Sequence, residues 1–96
     1  LPQREVKERS KLQETKNNDI AVFPNPVKDR LFLSEHILSG YEYLKISDAN
    51  GRKVYGVNIV NLTNGSIDMA TFGKGVYFIE LQPMDGFVRV EKVIKL

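Results

Sequence analysis

Val76-Tyr77-Phe78-Ile79-Glu80-Leu81 is the stretch whose reading decides the fold. Side chains along an extended chain alternate between two faces, so Tyr77, Ile79 and Leu81 share one side and Val76 and Phe78 the other. Apolar residues on both sides suit an interior strand. Phe72-Gly73-Lys74-Gly75 breaks the chain before it, and Pro83-Met84-Asp85-Gly86 turns the chain after it. Phe87 to Lys95 then closes the sequence as a last strand, with Val88, Val90 and Ile94 on a common face.

The same rhythm extends toward the N-terminus. Ser66-Ile67-Asp68-Met69 reads as a short strand. Tyr41 to Asp48 is a longer one, with Leu44 and Ile46 on one face and Tyr41, Tyr43 and Lys45 on the other. The Asn50-Gly51 pair tolerates positive φ and predicts a tight hairpin of the primed type, returning through Arg52 to Val57. Asp48 reads as a cap of that turn. Arg30 to Ser34 is another strand, followed by a looser stretch through His36 and Ser39-Gly40. Ile20-Ala21-Val22-Phe23 is the first strand, and it ends at Pro24-Asn25-Pro26, whose prolines deny the backbone donors a central strand needs. About seven antiparallel strands at this spacing, without a long helix, predict an all-β immunoglobulin-like β-sandwich. The chain has no Cys and no Trp, so the antibody landmarks are missing and the assignment rests on rhythm.

With 96 residues there is room for one domain. Composition changes near Asn17-Asn18-Asp19: residues 1–18 carry five basic groups, three acidic groups and only three large aliphatic side chains, Leu1, Val6 and Leu12. Such a segment has too little apolar surface to offset the entropy of ordering and reads as a polar linker, with the folded domain spanning 19–96. The net charge of +2 lies in that segment, since the rest balances at nine against nine. A nucleic-acid module carries its excess on the folded face, so nucleic acid is not the expected partner.

Catalytic and ligand chemistries fare poorly. Without Cys there is no thiolate nucleophile or thiolate metal ligand, and one His with no Cys does not make a zinc site. A triad would need His36 with Ser34 or Ser39 and an Asp on a loop with no evident support. Asp48 and Asn50 are followed by Arg52 and Lys53 where a calcium loop wants carboxylates. Gly73-Lys74-Gly75 lacks the helix a phosphate cradle opens. Lys74 to Leu81 echoes an RNA-binding octamer but lacks its stacking aromatics at Val76 and Leu81. No enzyme, metal or cofactor is expected. The Asn61-Leu62-Thr63 and Asn64-Gly65-Ser66 triplets match a glycosylation sequon that is common by chance.

Six pieces in order carry more information than any one of them: Val22-Phe23-Pro24-Asn25-Pro26-Val27, Leu31-Phe32-Leu33, Ile46 to Val54, Ile67-Asp68-Met69, Gly75-Val76-Tyr77-Phe78-Ile79 and Lys92-Val93-Ile94-Lys95. Together, over about residues 20 to 96, the chain resembles the C-terminal sorting domain of the type IX (Por) secretion system. The resemblance implies an immunoglobulin-like domain that directs an upstream passenger through the periplasm to an outer-membrane type IX translocon and on to the cell surface or medium. It further implies removal of the domain by a sortase-like cysteine peptidase, at or before residues 1–18. Two other readings stand beside it: a retained sandwich for adhesion or carbohydrate binding, using Tyr41, Tyr43 or Tyr55, and an uncleaved docking domain of a surface secretion component.

The candidates for recognition by the translocon are Lys92, Val93, Ile94, Lys95, Gly75, Tyr77, Pro24, Asn25 and Pro26, and most of them have a plain structural role as well. Pro24, Asn25 and Pro26 end a strand and fix a turn. Gly75 avoids a Cβ clash on leaving the Phe72-Gly73 bend, and Tyr77 buries its ring while its hydroxyl finds a partner. Core packing does not ask for cations around Val93 and Ile94, so Lys92 and Lys95 are expected to face solvent or the translocon. A receptor strand added to the free edge of the last strand would read them, and the same edge makes a strand-exchanged dimer plausible in isolation.

Overall fold

The computed structural model describes residues 19–96; the linker reading of 1–18 lies outside the described residues. Among the described residues seven strands form two antiparallel sheets. β1 (Val22–Phe23), β2 (Arg30–Leu33) and β5 (Ser66–Asp68) make one sheet in the order β1-β2-β5. β3 (Tyr41–Asp48), β4 (Lys53–Asn58), β6 (Gly75–Pro83) and β7 (Arg89–Lys95) make the other in the order β4-β3-β6-β7. An antibody constant domain places its fourth strand with the first two; here the fourth strand stays beside the third. The all-β sandwich expected from the sequence is the observed architecture.

Alternation dictates what the two sheets bury. Leu31 and Leu33 of β2, Leu44 and Ile46 of β3, Ile67 of β5, Tyr77, Ile79 and Leu81 of β6 and Val93 of β7 form one core with Val27, Ile37, Ile59 and Met69. β6 is interior as expected, flanked by β3 and β7 along most of its length. One short helix, α1 (Glu35–Gly40), occupies the stretch read as loose, and Ile37 anchors it in the core. A helix of six residues with a single buried anchor leaves no 3.6-residue pattern to find.

One local expectation is corrected. The β3–β4 hairpin is not a two-residue primed turn: of its loop residues only Gly51 has positive φ (84°), Gly51 N–H donates to Asp48 O (2.9 Å), and Asp48 N–H donates to Arg52 O (2.9 Å). This is the three-residue loop in which a type I turn is followed by a left-handed glycine. Asp48 caps it as expected, its Oδ1 accepting from the amides of Asn50 (2.9 Å) and Arg52 (3.0 Å). In β7 the shared face of Val88, Val90 and Ile94 points outward, while Val93 is buried. Pairing of Tyr77 with Val93 fixes that choice, and Arg89 and Glu91 occupy the inner positions nearer the start of the strand.

These assignments are testable by denaturation. Val93→Ala should cost about 2 kcal/mol, and Ile94→Ala less than about 1 kcal/mol, in urea titrations; the reverse order would mean that β7 is turned over. The Arg52 amide, followed by partial desolvation acting the other way, the Asn50 amide and the Arg52 guanidinium, holds the Asp48 carboxyl below its ordinary 3.8. A lowered folded-state value contributes stability that is complete above 3.8 and is lost as pH falls through the folded value. The melting temperature of Asp48→Asn should therefore fall less steeply than that of the parent chain on acidification below 3.8.

Candidate functional site

The segment from Asp19 to Val27 runs alongside β7 and joins the first residues of the domain to its last. Asn25 Nδ2 donates to Lys92 O at 2.8 Å, and Ile94 N–H donates to Asn25 Oδ1 at 3.0 Å. One side-chain amide thus offers a donor and an acceptor in the places a neighbouring strand would offer them. Val27 continues the pairing through its backbone: its N–H donates to Ile94 O (2.8 Å), and Leu96 N–H donates to Val27 O (2.9 Å). The contact is parallel, as an isolated bridge between Val27 and Lys95. Upstream, Arg89 Nη1 donates to Asp19 Oδ2 (2.9 Å) and Nη2 to Asp19 O (3.0 Å), while Nε donates to Glu91 Oε2 (2.6 Å). Burial alone would pull the Arg89 guanidinium down, but the hydrogen bonds and charges of Glu91 and Asp19 outweigh it and hold the group above its usual value.

This geometry brings the nine candidate residues into one place. Gly75 pairs with Lys95 and Tyr77 with Val93 across β6 and β7, and Asn25 bonds to Lys92 and Ile94 on the other edge. Pro24 and Pro26 flank Asn25, each after a cis peptide bond, and all three are exposed. Tyr77 buries its ring against Phe72 and its hydroxyl donates to Gly73 O at 2.8 Å, closing the bend before β6.

Four expectations change. Asn25 does not cap its own turn; it reaches a strand 67 residues away. Gly75 has open space where a Cβ would sit, so its φ of 141° calls for glycine and no clash does. Lys95 does not face solvent. It is 7% exposed, and its Nζ donates to Leu96 O at 2.8 Å. Lys92 and Lys95 stand an odd number of residues apart and so occupy opposite faces of a strand; only Lys92 points out. From the Lys92 carbonyl onward the edge of β7 is not open either, because Lys92 O, both backbone groups of Ile94 and Leu96 N–H already have partners in Asn25 and Val27.

A family model for the secretion system C-terminal sorting domain matches residues 21–96. The chain belongs to that family. No curated protein matches it. The family is a sorting signal for type IX secretion and not a catalytic one, which implies an upstream passenger and delivery to the cell surface or beyond.

One arrangement in the sorting domain looks catalytic and is better read as structural. His36 Nδ1 lies 3.1 Å from Ser34 Oγ and His36 Nε2 lies 2.5 Å from Asp19 Oδ1, so a Ser, a His and an Asp stand in line on anchored backbone, not on a loose loop. The Ser34 hydroxyl, however, donates to Ala21 O (3.2 Å), and the Asp19 carboxylate is held by Arg89. Neither of two surface clefts, ≈ 670 Å³ beside Arg30 and Phe32 and ≈ 480 Å³ beside Tyr41 and Met84, is lined by these three residues. They pin the start of the domain to α1 and β7. The partnership of Asp19 with Arg89 spans 70 residues and had no signal in the sequence.

Asn25→Ala should lower stability by about 1–2 kcal/mol, the net worth of two hydrogen bonds, and accelerate amide exchange at Ile94 without altering β3 or β4. Tyr77→Phe should cost about 1 kcal/mol. A silent Asn25→Ala in both measurements would mean that the side-chain pairing contributes nothing.

Proposed function

We propose that the sorting domain is read by the outer-membrane type IX translocon on the outward face of β7, and that a sortase-like cysteine peptidase then removes it by cutting at or before residues 1–18, after the passenger has crossed the periplasm. The observation that supports the reading surface is the position of Lys92. It stands between Val90 and Ile94 and opposite Phe78 of β6, all exposed. Among the described residues Lys92 makes no ion pair. A lone cation within an apolar strip suits a partner that presents a carboxylate among apolar groups, because the opposite charge is what such a face leaves unmatched.

The occupied edge bears on how the partner engages. Strand addition along Lys92 to Leu96 would first have to displace Asn25 and Val27, so recognition through outward side chains asks less of the domain. Exchange of β7 between two copies would likewise break the four bonds to Asn25 and Val27 before remaking them across chains.

Truncating the last five residues is a poor test, since Val93 is core and its loss would unfold the sandwich. Lys92→Glu in residues 19–96, fused to a periplasmic reporter in a host with the machinery, should cut export of the reporter about tenfold while leaving the urea midpoint nearly unchanged. Full export of the Lys92→Glu fusion would eliminate Lys92 as a recognition residue, and failure of the parent fusion to leave the cell would eliminate the sorting role of this unit.

A further inference from the structure

A bulge in β4 decides which way Lys53 faces. The β3–β4 register runs unbroken from Tyr43–Asn58 to Ile46–Tyr55, and Ser47 then pairs with Lys53, so Val54 is an extra residue. Unbroken pairing would set Lys53 on the face of Tyr55 and Val57, toward the core. The bulge turns it outward instead. Gly56 then gives its stem a path, since a Cβ there would collide with Lys53 Cε and with the Tyr43 hydroxyl. Across that gap Lys53 Nζ donates to Tyr43 Oη at 3.2 Å and stands 5.8 Å from the ring centroid. A lysine can also guard a free sheet edge. Here the ammonium leans inward over Gly56, toward β3, and leaves the edge unguarded.

Register sets this cation in line with the reading face of β7. Lys53 pairs with Ser47, Ser47 with Phe78 and Phe78 with Lys92, so one outward row crosses all four strands. Three strand spacings separate its ends, about 14 Å. The ring of Phe78, 37% exposed, stands between them. In the next row Lys45 Nζ lies 3.1 Å from Glu80 Oε1, so that carboxylate is already engaged. Lys53 and Lys92 make no ion pair among the described residues. The face therefore carries two uncompensated cations with an aromatic ring between them.

We infer that Lys53 is a second recognition residue and that the reading surface spans all four strands, fitted to an extended acidic segment of the translocon laid across them. The inference rests on the reading proposed for β7 and extends it. In an extended segment every second residue shares a face at intervals of about 6.8 Å, so carboxylates four residues apart reach both lysines. The residue midway between them meets Ser47 and Phe78, and an apolar side chain there covers the ring. The partner is thus expected to present the pattern acidic-x-apolar-x-acidic, whose spacing and charge both complement the row. Two adjacent carboxylates would satisfy one end only.

Reporter export in a host with the machinery is compared for the full chain and its Lys53→Glu, Tyr43→Phe and Lys92→Glu variants. Lys53→Glu should lower export about fivefold with its urea midpoint nearly unchanged. Lys53→Gln, which removes only the charge, should lose export in the same direction and carries the test if Lys53→Glu is unstable. Tyr43→Phe breaks the contact but keeps the charge, and should export within about twofold of the parent. Parent-level export of the Lys53 variants beside a defective Lys92→Glu overturns the inference and confines recognition to β7. An equal loss in Tyr43→Phe also overturns it, because Lys53 would then act through the packing of β4. Full export of Lys92→Glu instead removes the β7 reading on which the inference stands. Carbodiimide treatment of exporting cells, which joins an ammonium and a carboxylate in contact as an amide, tests the partner. Lys53 and Lys92 should couple to carboxylates four residues apart in one segment; coupling to two unrelated segments overturns the extended fit. Sedimentation of the purified chain with phosphatidylglycerol vesicles should show no binding, and binding that Lys53→Glu abolishes overturns the inference in favour of an anionic membrane.

Discussion

The amide side chain of Asn25 and the backbone of Val27, hydrogen-bonded along Lys92 to Leu96, are the constraint on which the rest of the domain depends. A sandwich of three strands on four has sheet edges to manage, and β1 contributes only two residues to its pairing with β2. The last strand would end as a bare edge, a template for any other chain that could add to it. Four hydrogen bonds from the start of the domain occupy that edge instead. Each is worth only about 1 kcal/mol net. Their effect is larger than that figure suggests, because the core has already brought residues 25 and 94 together and little further loop entropy is lost in forming them. Arg89 adds a second tie upstream, gripping both the carboxylate and the carbonyl of Asp19.

The closed edge bears on the proposed reading of β7. A sorting signal has to be visible while its carrier is still in transit, and visible strands are prone to pairing with whatever they meet. In this domain the backbone of the terminal strand from the Lys92 carbonyl to Leu96 is covered on both sides, by β6 and by the Asn25–Val27 segment, while Val90, Lys92 and Ile94 remain on display. The chemistry that stays outside is carried by side chains, which discriminate between partners, and not by backbone groups, which do not.

Much of the fold was legible because it follows from alternation. The apolar pattern of Tyr77, Ile79 and Leu81, and of Leu44 and Ile46, requires an inner face, and the glycine and proline punctuation gives the strand lengths. What alternation cannot say is which of two mixed faces wins. In β7 three exposed aliphatics share a face with Lys92, and the inner face holds Arg89, Glu91 and Lys95. Of the polar inner residues, Arg89 is accommodated by Asp19, far away in sequence, and Lys95 by the carbonyl of its neighbour Leu96. Asn25 was recognisable as a turn residue and not as the partner of Lys92, since a residue suited to capping a turn locally is equally suited to mimicking a strand elsewhere. The Asn50-Gly51 pair fixed the place of the hairpin; the reach of Asp48 to two amides selected its type.

The claim that the beginning of the domain closes the edge of its end is tested most directly by hydrogen exchange at two amides of the unmodified protein. Ile94 and Leu96 point away from β6, toward Asn25 and Val27. If the edge is closed, both exchange as slowly as amides in the middle of β6. If both exchange as fast as the Gly86 amide of the exposed β6–β7 turn, the edge is open and the account is wrong.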